Sequence, residues 1–388
     1  MKILQVISSS GMYGAESVIL NLARGLTAAG HPCVLGVFAN SPNPNLQLHQ
    51  RALEAGIPSY PFPCKGQFDP TAIRRIRDLA TETGADIIHT HGYKADVYTR
   101  MAMLDYGVPL VSTCHNWLDE HWRTSLYGVV DRYVLRSFPR VVAVSEEVRQ
   151  RLLEAGVLPE RIRIIPNGID LRPFQVERDS DPVDWSQDRP AVIGMVARLS
   201  AEKGVDLFLR AAAQVAGIIS HAKFVVVGDG PDREELEALI DQLRLRPFVS
   251  MLGRRNDMPA QYASFDLLVS SSRKEGLPVA ILEAMASGLP LVATAVGDVL
   301  KVVRNGETGI LLPTGDPGPL ASAIVDLLCD REKRRRLGSV ARQLVESQYS
   351  ADRMSNDYLD TYKDAVTALW HITARRLPDG MDRAGEKN

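Results

Sequence analysis

The chain is 388 residues long, 45% hydrophobic and 24% charged, with a formal net charge of −2. That length argues for two domains rather than one core, and the balance is that of a soluble globular protein. A charge so near zero supplies no global field for nucleic acid or an anionic lipid surface, so no nucleic-acid partner is expected and any site for a charged ligand is local.

The four cysteines, Cys33, Cys64, Cys114 and Cys329, are scattered without a C-x-x-C pair. That points to free thiols in a reducing compartment rather than a disulfide frame or a zinc site. The opening MKILQVISSSG turns polar too soon for a signal peptide. No run approaches the ~18 apolar residues of a membrane span. A cytoplasmic soluble protein is expected.

KILQVI (2–7) reads as a strand, followed by a turn holding Gly11 and Gly14 and a helix over SVILNLARGLTAAG. CVLGVF (33–38), the helix TAIRRIRDLATETG, DIIHTH (86–91), PLVSTCH (109–115) and RVVAVS (140–145) continue the alternation. EVRQRLLEAG is a helix closed by glycine, and RIRIIPNGID (163–170) adds a strand and a turn. Residues 171–190, LRPFQVERDSDPVDWSQDRP, are rich in Asp and Pro without apolar periodicity and read as a linker. The pattern then restarts with AVIGMVAR (191–198), KFVVVGDG (223–230), VSMLGR (249–254), FDLLVSSS (265–272), PLVATAV (290–296) and GILLP (309–313).

Continuous Val, Leu and Ile runs mark strands covered on both faces, and the βαβ alternation predicts two doubly wound α/β domains facing each other. Their expected bounds are 1–175 and 190–345. After residue 314 the pattern is helical only. The last helix, over 346–372, carries large apolar residues on one face and is expected to return across the linker to the first domain. The charged tail 375–388 is expected to be disordered.

Open parallel sheets bind ligands outside the carboxyl ends of their strands, so the strand ends supply the candidates. The Gly11–Gly14 turn offers helix N-terminal amides to an anion, or serves only as a tight turn. It does not match G-x-G-x-x-G, which disfavours an oxidoreductase. His89 and His91 share one face of a strand end and read as a hydrogen-bonded pair, since no zinc spacing joins them to His115 or His121. His115, before Asn116 and Trp117, is the better chemical candidate, with a buried satisfied histidine as its alternative.

Arg198 and Lys203, past the strand at 191–198, suit a diphosphate. Gly228, Asp229 and Gly230 allow close backbone approach of a flat ligand, and Arg254 and Asp257 end the next strand. In SSRKEGLPVAILEAMASGLPLVAT (271–294), Pro278 fits the first position of a helix over about 278–287. Gly276 and Leu277 then present amides at its positive end, Glu275 lies in the loop before it and Glu283 inside it. The string reads as a nucleotide-diphosphate cradle flanked by two carboxylates suited to vicinal hydroxyls. Each charge taken alone would read as solvated surface.

That string, with VARLSAEKG and VVVGDGP before it and GETGILLPTGD after it, resembles the retaining glycosyltransferases of family 4, glycosyl transferases group 1. Their marks are the E-x7-E motif and the GT-B fold, two Rossmann-like domains across a deep cleft, and the likeness runs to about residue 345. The resemblance implies a metal-independent retaining hexosyltransferase with no cofactor. It would move a sugar from a nucleotide-diphosphate sugar, UDP favoured, to a hydroxyl of a glycan or a lipid-linked or envelope acceptor.

It further implies that Glu275 holds donor-sugar hydroxyls and Glu283 the ribose. Arg198 and Lys203, with the amides near Gly276 and Leu277, would bind the diphosphate and stabilise it as leaving group. Gly14 would meet the phosphates, although the family more often has adjacent glycines than Gly11-Met12-Tyr13-Gly14. His115 would stand near the reacting sugar, with Gly228, Asp229, Arg254 and Asp257 around the donor nucleotide. Peripheral membrane contact is expected of such acceptors, while Arg74, Arg75 and Arg77 and the REKRRR run (331–336) read as solvated helix faces. The alternative readings are a GT-B nucleotide-sugar epimerase, which lacks the glutamate string, and a non-catalytic nucleotide-sugar-binding subunit.

Overall fold

In the computed structural model, residues 1–9, 14–42, 44–66, 68–115, 126–175, 190–276 and 278–374 are described, except for the side chains of 126–129 and 370–374. The chain divides into two compact units, one formed by Met1–Gly168 with the chain from Ala351 onward, the other by Ile169–Ser350.

The first unit holds strands β1 (Ile3–Ile7), β2 (Cys33–Ser41), β3 (Ser59–Lys65), β4 (Ile87–His91), β5 (Leu110–Cys114), β6 (Arg140–Ala143) and β7 (Ile162–Ile164). They form one sheet in the order β3-β2-β1-β4-β5-β6-β7, every pair parallel. β1, β4 and β5 are buried at every position, their polar residues Gln5, His89, Thr90, His91, Ser112 and Thr113 included, as a sheet covered on both faces requires.

β3 has no counterpart among the expected strands, because its sequence SYPFPCK contains Pro61 and Pro63. It lies at the sheet edge against β2 alone, where a missing proline N–H costs no ladder bond on the open side. The helix Gln47–Glu54 also went unmarked; it buries only Leu48 and Ala52, too few apolar positions to show a period.

The helix Ala351–Ala374 packs on the helix Gly14–Ala28 and on β5 and β6. It buries Met354, Tyr358, Leu359, Tyr362 and Ala365, and its tyrosines bond into the sheet: Tyr358 Oη lies 2.9 Å from Thr113 Oγ1 and Tyr362 Oη 2.8 Å from His89 Nδ1.

The second unit is a six-stranded parallel sheet in the order β10-β9-β8-β11-β12-β13. Its strands are β8 (Ala191–Val196), β9 (Ala222–Val227), β10 (Val249–Gly253), β11 (Leu267–Ser270), β12 (Leu291–Thr294) and β13 (Ile310–Leu312). Residues 169–175, expected with the first domain, pack here instead. Ile169 N donates to the Tyr349 carbonyl at 2.9 Å, and the Phe174 ring meets the Tyr262 ring edge-on at 5.8 Å. Most of the expected linker (176–189) and the tail 375–388 lie outside the described residues. Among the described residues no helix is long and apolar enough to cross a membrane.

Candidate active site

In the second unit the strand order reverses between β8 and β11, so the loops after these strands flank a topological switch point. Backbone bonds tie the neighbouring loops into one rim. Leu199 N donates to Asp229 O at 3.2 Å, Gly228 N to Gly253 O at 2.9 Å, and Arg273 N to Glu202 O at 2.7 Å. Two glycines make the contacts close. Gly228 has φ +138 and a Cβ there would lie 1.8 Å from Ala197 O; Gly297 has φ +51 and a Cβ there would lie 1.8 Å from Glu275 O. Only a residue without a Cβ fits either place.

Within this rim Lys203 Nζ lies 2.6 Å from Glu275 Oε1, and Ser272 Oγ donates to the same oxygen at 2.8 Å. The Glu275 side chain is only 8% exposed. Arg198 is exposed, and its guanidinium has no hydrogen-bond or ion-pair partner among the described residues. Arg273 grips Asp206 through two 2.7 Å bonds and Ala201 O at 2.9 Å, which fixes the loop carrying Glu275 to the loop carrying Lys203.

The helix after Glu275 runs Val279–Ala286. Pro278 is its N-cap, with ψ 126, rather than its first helical residue as expected; the extended ψ keeps it out of the turn. No side chain caps this helix, and Ile281 N turns back to Pro278 O at 3.1 Å, so its N-terminus presents the positive end of the helix without a capping side chain. Gly276 precedes it half-buried, while Leu277 lies outside the described residues.

Glu283 is half-buried inside that helix, and its Oε2 accepts from Tyr262 Oη at 2.8 Å. Burial outweighs this bond and pushes the carboxyl up to about 7. Asp229 accepts from Gly230 N at 2.9 Å and stands 3.7 Å from the Arg233 guanidinium. Asp257 is exposed and bound by both arms of Arg255, at 2.8 and 2.7 Å, and by Gln261, so its carboxylate is already committed. Arg254 is exposed beside it.

In the first unit Gly14 opens the helix that follows β1 and is exposed. Gly11, Asn116, Trp117 and His121 lie outside the described residues. His89, His91 and His115 form a row: the rings of His89 and His91 are 4.1 Å apart and those of His91 and His115 5.4 Å. His91 Nδ1 lies 3.2 Å from His115 Nε2, and His91 Nε2 lies 3.2 Å from Gln5 Oε1. His89 is held between Thr113 Oγ1 at 2.7 Å and Tyr362 Oη at 2.8 Å. Burial keeps all three neutral, pushing His89 down to about 3 and His115 to about 4, with His91 well below its usual range. Among the described residues no group of three or more His, Cys, Asp or Glu side chains is placed to hold a metal ion.

Several residues of the site were not marked in the sequence. Ser272 and Tyr262 lie in apolar or serine runs without distinguishing pattern. Gln5 did carry a signal: an amide in the middle of a buried strand needs a partner.

The fold matches that of Anabaena HepE, solved in complex with UDP, with a TM-score of 0.78 at 25% identity over 94% of this chain and 100% of that one. Two Rossmann-like parallel-sheet units with this likeness define a GT-B glycosyltransferase. Residues 12–172 match Glycosyltransferase Family 4, and residues 177–344 match Glycosyl transferases group 1. Alpha-D-kanosaminyltransferase of Streptomyces kanamyceticus is 31% identical over 315 residues, 75% of this chain and 80% of its own. N-acetyl-alpha-D-glucosaminyl L-malate synthase of Bacillus anthracis is 25% identical over 374 residues, 93% of this chain and 95% of its own. The chain belongs to the family 4, group 1 glycosyltransferases, enzymes that use nucleotide sugars.

Proposed function

We propose that this glycosyltransferase takes a UDP-sugar, retains the anomeric configuration and needs no metal, passing the sugar to a hydroxyl of a glycan or lipid-linked acceptor. The observation that carries it is the convergence of Arg198, without a side-chain partner among the described residues, the Lys203–Glu275 pair and a helix N-terminus without a side-chain cap at one strand edge. Two cations beside a helix N-terminus suit a diphosphate. The UDP bound by Anabaena HepE favours that base. The alpha linkages in both relatives' names are what retention delivers from an alpha-configured donor.

In this reaction the acceptor oxygen forms its bond to the anomeric carbon as the bond to the phosphate oxygen breaks on the same face. The acceptor proton goes to the departing phosphate. Arg198 and Lys203 stand where the leaving charge develops, which lowers the barrier electrostatically. Glu275 exchanges its Lys203 contact for sugar hydroxyls, and Glu283 accepts from the ribose diol. In the second unit Gly228, Asp229, Arg254, Asp257, Gly276 and Leu277 would line the donor nucleotide; Gly14 and His115 are the substrate contacts proposed for the first unit. A lipid-linked acceptor would bring the chain to the inner face of the cell membrane as a peripheral partner.

A thermal-shift panel of UDP, GDP and ADP with their sugars identifies the donor. Turnover of Arg198→Ala is then compared with the unaltered enzyme, each with and without excess chelator. The expected loss is about 100-fold or more for Arg198→Ala, as for removal of one oxyanion-type donor, and none on chelation. Near-normal Arg198→Ala turnover, or activity abolished by chelator, overturns the mechanism. An isomerised donor without glycoside overturns the reaction class.

A further inference from the structure

The His91–His115 row has a direction. Gln5 is fully buried at the centre of β1, and its Nε2 points at Cys33 Sγ, 4.0 Å away. The Cys33 thiol gives its own hydrogen to His31 O at 3.6 Å, so the sulfur is left as an acceptor for that amide. The amide orientation then places Oε1, which only accepts, 3.2 Å from His91 Nε2. His91 must carry its hydrogen on Nε2, and a neutral ring then has a lone pair on Nδ1. That lone pair faces His115 Nε2 at 3.2 Å, so His115 must be the donor there. The same rule leaves a lone pair on His115 Nδ1. This atom is buried and has no hydrogen-bond partner among the described residues, a costly state for a polar group unless something else fills it.

We propose that Gln5 and His91 are positioning residues that hold His115 in its Nε2–H tautomer, so that His115 Nδ1 accepts a hydrogen bond from a hydroxyl of the bound substrate. This rests on the transferase function proposed above. A sugar hydroxyl is the fitting ligand, since it carries a hydrogen to give and no charge to bury. His115, neutral through burial, orients that hydroxyl rather than removing its proton. The donor sugar and the acceptor both offer such a group. His89 takes no part in the relay, because Thr113 and Tyr362 occupy both of its nitrogens.

The test uses the full chain labelled with 15N on histidine. A long-range 1H–15N spectrum at pH 8 reads each tautomer without any turnover, with peaks assigned through their loss in His91→Asn and His115→Asn. The expected result is an Nε2–H pattern for both rings; an Nδ1–H pattern for His115 overturns the proposal. Gln5→Met, similar in volume but without an acceptor at that place, is expected to mix the His115 tautomers and lower kcat/KM roughly tenfold, the worth of one hydrogen bond. A rise in donor KM assigns the hydroxyl to the sugar being transferred, and a rise in acceptor KM assigns it to the acceptor. Unchanged kcat and both KM values in Gln5→Met with mixed tautomers overturn the positioning role, while leaving Arg198-dependent transfer intact. Should Gln5→Met fail to fold, the spectrum of the unaltered protein still decides the tautomer.

Discussion

Lys203 Nζ and Glu275 Oε1, 72 residues apart in sequence, are bonded at 2.6 Å in the second unit. The pair joins the two groups proposed above to take the diphosphate and the sugar hydroxyls. The arrangement keeps a carboxylate that is 8% exposed from standing uncompensated, which would otherwise cost several kcal/mol.

Lys203→Ala leaves Glu275 with Ser272 alone, and is expected to lower stability by about 1–3 kcal/mol in urea unfolding. The double variant Lys203→Met/Glu275→Gln removes both charges and should recover most of that loss. Its UDP-release rate should nonetheless stay near background. A stable Lys203→Ala single variant would mean that solvent already screens the pair.

Gly297→Ala tests whether the loop after β12 holds Glu275 in place. The added methyl meets Glu275 O at 1.8 Å, and the backbone sits at φ +51, so either the loop or the Glu275 backbone must move. A stability loss of about 1–3 kcal/mol is expected, together with a fall in kcat larger than any change in nucleoside diphosphate affinity under the proposed role of Glu275 on the sugar. Calorimetric UDP titration alongside steady-state kinetics separates the two. Equal losses in both would place the strain on the whole rim instead.

The architecture was largely legible because parallel strands buried on both faces leave mostly apolar runs, as KILQVI and KFVVVG do, and the Asp- and Pro-rich 171–190 interrupts them. β3 was not legible, since Pro61 and Pro63 deny it a strand signature that only its edge position excuses. Of the site, residues just past strand ends could be marked from topology alone: Arg198, Lys203, Glu275 and His115. The contacts that hold the site could not, because Gly297 against Glu275, Arg273 on Asp206 and Tyr262 on Glu283 meet through tertiary packing that no local pattern encodes. Asp257 shows the converse: its position was marked, but its pairing with Arg255 was not, since adjacent opposite charges look alike whether bonded or free.

Asp96 and Asp131, both fully buried behind the first sheet, are expected to make the first unit less stable in alkali. Burial raises Asp96 to about 7, and burial with the nearby Asp96 charge raises Asp131 well above the carboxylate range. Both folded values lie above the unfolded ones, so the folded chain holds these protons more tightly. Their stabilising effect is full below the unfolded values and is lost as pH rises through about 7 for Asp96. Asp131→Asn, which keeps a donor without an ionisable proton, should therefore raise the unfolding temperature at pH 8.5 and change it little at pH 5. A fall at both values would show that the carboxyl is needed for packing.

Under the proposed role of Glu283 on the ribose, donor binding depends on pH in the opposite sense from stability. Its carboxyl is raised to about 7, mainly by burial, against an unfolded value near 4.5. The folded chain thus favours the protonated form, and that contribution to stability, complete below 4.5, disappears as pH climbs through 7. Glu283→Gln keeps an acceptor for Tyr262 and removes the ionisation, so at pH 8 it should be more stable than the unaltered protein by on the order of 1–3 kcal/mol. Ribose recognition needs the reverse state, since an ionised carboxylate accepts from both hydroxyls while a protonated one does not. UDP affinity should therefore weaken several-fold between pH 8 and pH 6. The nucleotide's own phosphate titrates in this range, so the measured quantity is the ratio between the unaltered enzyme and Glu283→Gln, in which the phosphate contribution cancels. A ratio that stays flat from pH 8 to pH 6 would remove Glu283 from ribose binding, whatever the absolute affinities do.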